Sequence, residues 1–339
     1  MISFDRFSLA LTDPLETASG AIERREGFVV RVPFDGQTGL GEATPLPGWT
    51  EPLDACRTAM ERAADVAAQL DWGIALEKTA KPAARHGLSL ALSDARAAAT
   101  DEPLYRYLGR EERVERVPVN ATLGDAPVEQ TVDKAETAVD EGFETLKLKV
   151  GARDVEDDIE RVAAVRAAVG ERVAVRADAN GAWDRDQADR AFDAFADLGV
   201  SLVEQPLAPS DLDGHAALRG GPVAVALDES LVEWSVDAVV AAQAADAIVC
   251  KPMVLGGPDA TYEAAMRARD AGLDVVVTTT VDGVVARTGA VHVAAAIPGV
   301  AACGLATADL LAEDLGPDPA PVTGGGIQVP QGPGVGVEL

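Results

Sequence analysis

The chain is poor in several things at once. Its 339 residues include only three cysteines, and Cys56, Cys250 and Cys303 stand far apart in apolar surroundings. That spacing excludes a disulfide framework and a CxxC centre, so they read as reduced core residues. No stretch reaches the roughly 18 uncharged apolar residues of a membrane helix. The opening MISFDRFSLALTD has no signal-peptide pattern, so no membrane partner is expected and the cytoplasm is the expected location. Histidine is limited to His86, His215 and His292, each in a helix- or loop-like setting that suits packing better than metal ligation. Lysine is scarce as well: Lys78, Lys81, Lys134, Lys147, Lys149 and Lys251 are the whole set. With 56 acidic residues against 29 basic ones, the formal net charge is −27. Such a surface repels phosphate and excludes nucleic acid as a partner.

What is there is a large core and an ordered pattern. Hydrophobic residues make up 47% of the chain, enough to fill a βα barrel of about 250 residues with a smaller domain beside it. Residues 1–46 read as antiparallel strands, FSLALTD, then FVVRVPF and GLGEATP about the turn signal Asp35-Gly36. Helices follow in EPLDACRTAMERAADVAAQL, RHGLSLALSDARAAAT and PLYRYLG, so residues 1–113 form an α+β lobe. From 114 to 310 strands and Ala-rich helices alternate: VPVNATL, TLKLKVG, VAVRADAN, SLVEQPL, VAVALDES, AIVCKPM, DVVVTTT and AACGLAT. Eight such strands favour a closed parallel barrel. The Gly- and Pro-rich segment 311–339 is expected to pack back on the lobe. The stretches ETASGAIERREG and PLPGWTEP read as lobe loops covering the barrel mouth, with Trp49 as an aromatic wall.

Charged residues sit at the ends of these apolar runs. Asp178, Glu204 and Asp228 follow one another at gaps of 26 and 24 residues, and Lys251 comes 23 later. Side chains alternate along a strand, so Lys147 and Lys149 share one face, as do Arg176, Asp178 and Asn180. At the carboxyl ends of barrel strands such residues converge on one mouth. Inward-pointing charge is costly without a task. Three carboxylates without His or Cys suit a hard cation, Mg²⁺ or Mn²⁺ in its place. A lysine beside a cation and a second lysine is expected to have a lowered pKa and to serve as a base. The implied chemistry is proton abstraction next to a carboxylate, with a small carboxylate as substrate. A Schiff-base lysine would need no trio of acids.

KLKVG, RADANGAW, VEQPL, ALDES and VCKP, in this order, resemble the enolase superfamily in its muconate-lactonising branch. GEATPLPG and LSLALSDARAAATDEPLYRYLG resemble that branch's capping domain. The resemblance implies a (β/α)7β barrel under an α+β capping domain. It implies Mg²⁺ on Asp178, Glu204 and Asp228, Lys149 and Lys251 as an acid/base pair, and Lys147 near the substrate carboxylate. Thr278, Thr279, Thr280 and Asp282 resemble the SSSxES segment of o-succinylbenzoate synthases and are the expected substrate contacts, with Asp for Glu. The paired acids of dipeptide epimerases are reduced here to Thr307-Ala308-Asp309. The implied reaction is loss of water from a cyclohexadiene carboxylate through an enediolate, as in menaquinone synthesis. The alternative is N-succinylamino acid racemisation or dipeptide epimerisation. A homo-oligomer is compatible with either.

An acid-rich, lysine-poor surface is the composition expected of a protein working at high salt, where screening relieves self-repulsion. The thermal unfolding midpoint, followed by circular dichroism, is therefore expected to rise from dilute buffer to molar KCl. An unchanged midpoint would refute this reading.

Overall fold

The computed structural model describes residues 2–17 and 20–339. The lobe is built on an antiparallel meander of β1 (Ser3–Thr17), β2 (Gly20–Phe34) and β3 (Gln37–Ala43). Asp35 and Gly36 make the β2–β3 turn, both at positive φ, the backbone that a tight hairpin requires. Phe28, Val30 and Val32 alternate onto one face of β2 and pack on Leu88, Ala91 and Leu92 of the helix Pro82–Ala99 and on Met60 of the helix Leu53–Gln69. Gly39 lets β3 lie directly on that first helix, because a Cβ there would collide with the Ala91 carbonyl.

The sequence reading needs correction in this lobe. ETASGAIERREG is not a loop: residues 20–26 are strand, in register Thr17↔Gly20, Glu16↔Ala21 and Leu15↔Ile22 with β1. The rest of that expectation falls on Ala18 and Ser19, outside the described residues. A helix Trp72–Lys78, capped by the Asp71 side chain on Ile74 N, was not read, since seven residues are too few to show a period.

The second sheet is the barrel. VPVNATL divides into β4 (Arg116–Pro118) and β5 (Ala121–Leu123). β6 (Thr145–Lys149), β7 (Ala174–Asp178), β8 (Val200–Glu204), β9 (Ala224–Leu227), β10 (Ala247–Cys250) and β11 (Asp274–Val277) then follow as parallel neighbours in chain order. Helices separate them, ending with Val284–Ala296 after β11. AACGLAT does not make a full eighth strand. It closes the ring through isolated parallel bridges, Thr278↔Gly304 on one side and Val119↔Cys303 on the other, with Gly304 N on Val277 O and Asn120 N on Cys303 O. The fold is a (β/α)7β barrel with a capping lobe. Its interior holds Leu202, Ala226, Ala247, Val249 and Val276.

The C-terminal segment serves both bodies. β12 (Val322–Thr323) and β13 (Gly326–Gln328) form a hairpin, and β13 pairs antiparallel with β4. Farther on, Gly334 exchanges backbone hydrogen bonds with Glu102 and Leu104, and Val335 N donates to Asp94 Oδ1 at 2.6 Å. Val335 and Val337 pack on Leu90, Ala97 and Leu104 of the lobe and on Val284 and Val285 of the last barrel helix. All three cysteines are free and buried. Among the described residues no helix is long and apolar enough to cross a membrane.

His292 sits at this junction. It is fully buried, accepts from Tyr105 N at Nδ1 and meets Val335 O through Nε2. That pattern assigns the neutral tautomer with the proton on Nε2. Burial lowers its pKa from 6.5 to about 4. The unfolded chain thus takes up a proton below pH 6.5 that the folded chain refuses until about pH 4, so stability falls as pH drops through that window. The stability advantage of the wild type over His292→Gln is expected to shrink by about 3 kcal/mol between pH 7 and pH 4, measured by urea unfolding. A pH-independent difference would rule out this neutral, buried histidine.

Candidate active site

The pleat and the barrel register bring the charged residues together. Lys149 is the Cα partner of Asp178, and Asp178 of Glu204. Asp228 follows the end of β9, and Lys251 the end of β10. The acids therefore occupy three consecutive strands, with Lys149 on the strand before and Lys251 on the strand after. From β6 to β10 is four steps in a ring of eight positions, so the two lysines stand on opposite sides of the mouth. Lys147 lies one pleat deeper on the face of Lys149.

Asp178, Glu204 and Asp228 are all buried. Lys147 Nζ lies 3.0 Å from Asp178 Oδ2 and 3.2 Å from Glu204 Oε1. Lys149 Nζ lies 2.6 Å from Asp178 Oδ2 and 2.8 Å from Asn180 Oδ1. Lys251 Nζ pairs with Asp228 Oδ2. Burial disfavours charge on every member, and the outcome differs with the partners. Asp178, against two ammonium groups, ends below the usual carboxylate range. Glu204 is pushed up to about 7 by burial and by Asp178, and Asp228 to about 6 by burial that Lys251 only partly offsets. For Lys147, burial is outweighed by Asp178 and Glu204, and its pKa rises.

Second contacts hold this arrangement. Gln205 is buried with φ +42° and accepts from Asp228 N and Ser230 N, fixing the end of β9 to that of β8. Arg161, buried against Asp158, donates to Lys149 O at 3.2 Å and to Gly124 O. Lys251 begins the short helix Pro252–Leu255, whose Met253 is a member of the lobe core. The ring of Trp49 lies over Lys251 Nζ, 3.5 Å from its centroid, a cation–π contact. The lobe thus builds one wall of the barrel's mouth. Arg176 leaves the acids and donates to Ala302 O. The three histidines are buried and bonded to backbone groups.

The segment after β11 is less open than the sequence suggested. Thr278 Oγ1 donates to Gly304 O, Thr279 Oγ1 meets Thr307 Oγ1, and Thr280 Oγ1 donates to Asp282 Oδ1 at 2.5 Å. Asp282 is buried beside Arg25 of the lobe. The sequence reading missed Arg25, Glu42, Gln205 and Glu229. Gln205 and Glu229 carried a signal as the neighbours of Glu204 and Asp228, and Glu42 as a member of GEATPLPG.

Among the described residues no three acidic, histidine or cysteine side chains form a ready-made cation cage. Lysine ammonium groups engage the carboxylates instead. The donor set nevertheless fits a hard divalent cation. Three carboxylates lie side by side out of water, two of them with raised pKa, and Glu229 Oε2 is buried beside them without a hydrogen-bond partner. Positive charge is undersupplied at this mouth.

Residues 130–339 match the model of the Enolase C-terminal domain-like family, and residues 2–95 match that of the MenC N-terminal domain. The chain belongs to the enolase superfamily. Among its relatives in that superfamily is the L-Lys-D/L-Arg epimerase of Methylococcus capsulatus, 31% identical, with 96% of this chain and 95% of the relative covered. The o-succinylbenzoate synthase of Thermobifida fusca is 34% identical over 91% of this chain and 83% of its own. Muconate cycloisomerases are also related. The dipeptide epimerase of Enterococcus faecalis, solved with Mg and the dipeptide L-Leu-L-Tyr, superposes with a TM-score of 0.87 at 26% identity, covering 99% of this chain and 98% of that one. This enolase-superfamily enzyme holds its acids in place with Lys147. Lys147→Met is expected to lower unfolding stability by about 3–5 kcal/mol, since two buried carboxylates lose their shared cation. Urea unfolding measures it, and a loss near zero would mean that the acids are protonated or hydrated in the fold.

Proposed function

We propose that the protein is a Mg²⁺-dependent o-succinylbenzoate synthase that removes water from 2-succinyl-6-hydroxy-2,4-cyclohexadiene-1-carboxylate. The lobe carries the reading: residues 2–95 match the MenC N-terminal domain, and this lobe sets Trp49 on Lys251. The o-succinylbenzoate synthase relative supports it.

In this reading Asp178, Glu204 and Asp228 hold the divalent cation. When bound, it supplies positive charge beside the substrate carboxylate, where negative charge grows as the α proton leaves. Lys149 is the most accessible of the three lysines, 36% exposed at its side chain against 13% for Lys147 and 11% for Lys251. It is the base that takes the α proton, and Asn180 Oδ1 fixes the direction of one of its N–H bonds. The same ammonium then returns the proton to the departing ring hydroxyl on the same face, so water leaves and the ring becomes aromatic. Lys251 faces the opposite side of the ring and remains a cation there, shielded from water by Trp49. Lys147 keeps Asp178 ionised and partly offsets the burial of Glu204.

A second reading rests on the same two lysines half a ring apart. Amines on opposite faces of one α-carbon can invert it, as a racemase or epimerase must, and an epimerase is among the relatives. The two readings diverge in the product. The synthase yields a new aromatic ultraviolet band from the cyclohexadiene substrate. An epimerase instead places solvent deuterium in recovered N-succinylamino acid or dipeptide. Lys149→Ala is expected to lower kcat by at least about 10²–10⁴-fold, with Mg²⁺ binding by calorimetry retained. Undiminished turnover in that variant would remove Lys149 from the role of base.

A further inference from the structure

Arg25 grows from β2 of the lobe and is 1% exposed. Its guanidinium is spent on backbone carbonyls. Nε donates to Val281 O at 3.1 Å, Nη1 to Pro45 O at 3.2 Å and Nη2 to Thr44 O at 2.8 Å. Asp282 Oδ1 stands 4.0 Å from Nη2. One buried side chain therefore joins two segments that the sequence keeps more than 200 residues apart. The first runs from Thr44 to Trp49, whose ring covers Lys251. The second is the turn that closes the Thr278–Thr280 run.

That turn needs a hold. Val281 has φ +60°, a left-handed conformation that a β-branched residue avoids. Its neighbours are tied on both sides. Thr280 binds Asp282 through its amide and hydroxyl, and Gly283 N donates to Glu42 Oε1 at 2.7 Å. Glu42 Oε2 accepts from Ala286 N, so a lobe carboxylate also caps the helix Val284–Ala296. The lobe core has no need of Arg25, since Phe28, Val30 and Val32 already fasten β2 to the helices. A fully buried guanidinium is costly, and here it acts where the lobe meets the barrel's mouth.

We propose that Arg25 is a positioning residue: by fixing the strained Val281 turn to the Thr44–Trp49 loop, it sets the wall that meets the part of the substrate remote from the reacting carboxylate. This rests on the proposed function only in taking that wall as substrate-facing. The ion pairs among the barrel lysines and acids do not involve Arg25, so its loss should weaken substrate binding more than the chemical step.

The test compares Arg25→Met, Val281→Gly and their combination with the wild type. Arg25→Met is expected to raise KM by about tenfold or more with kcat changed less than about threefold. Amide hydrogen exchange should accelerate at residues 44–50 and 281–286, and acrylamide should quench Trp49 more strongly, with Trp49→Phe giving the background. Val281→Gly, which adopts positive φ without strain, should recover part of the lost affinity in the double variant. Unchanged exchange and quenching in Arg25→Met would overturn the proposal whatever the substrate. So would acceleration spread over the whole lobe, which marks a merely structural role. Localised changes in exchange, together with no aromatic product from the wild type, would leave the positioning role standing and remove only the synthase reading. Where Arg25→Met does not fold, Arg25→Lys keeps the cation without the guanidinium fork and is read by the same outcomes.

Discussion

The arrangement depends on one interaction, the Lys147 ammonium lodged between Asp178 and Glu204. Buried carboxylates on adjacent strands repel one another and lack water to soften the repulsion. A cation rooted a pleat deeper in the same barrel lets them stay charged. That leaves Lys149 and Lys251 to lie toward the open end. The compensation is partial, because Glu204 and Asp228 retain raised pKa values. A site with surplus negative charge and two lysines at its margins is prepared both for a divalent ion and for the anion that ion would bring.

Much of this was legible in the chain because barrel geometry is periodic. Alternation put Lys147 and Lys149 on one face. The gaps of 26, 24 and 23 residues placed Asp178, Glu204, Asp228 and Lys251 on successive strands. These are local rules, and the register preserves them. What could not be read depends on contacts between distant segments. Arg25 gave no signal because its partners at Thr44, Pro45 and Val281 are backbone carbonyls, which any residue supplies. The Thr278–Thr280 hydroxyls looked free because their partners lie near residues 304–307 or in the Asp282 turn. The strand at residues 20–26 resembles a loop in sequence because its Glu and Arg residues hide the hairpin alternation.

The lobe is more than a cover. Met253, two residues beyond Lys251, belongs to the lobe core, and Thr44 N donates to its sulfur. Arg85 crosses from the lobe to Asp259 and Gly256 on the same side of the barrel. The half of the mouth around Lys251 is thus shared by two bodies, while the half around Lys149 belongs to the barrel and is braced by Arg161 and Asp158. Substitutions in the lobe can therefore reshape one side of the cavity and leave Lys149 in place.

The seam between Val119 and Cys303 bears on the order in which the polypeptide acquires its shape. Cα neighbours there are separated by most of the barrel sequence, and β4 waits for β13 from still farther along. Such long-range pairings contribute little until the intervening helices have collapsed, and they slow acquisition of the native topology. On a ribosome the open βα sheet would emerge with both margins bare and acquire its ring only once residues 303–328 had left the tunnel. Until then the lysine-flanked mouth would be assembled along one arc, with nothing yet to seal the opposite flank.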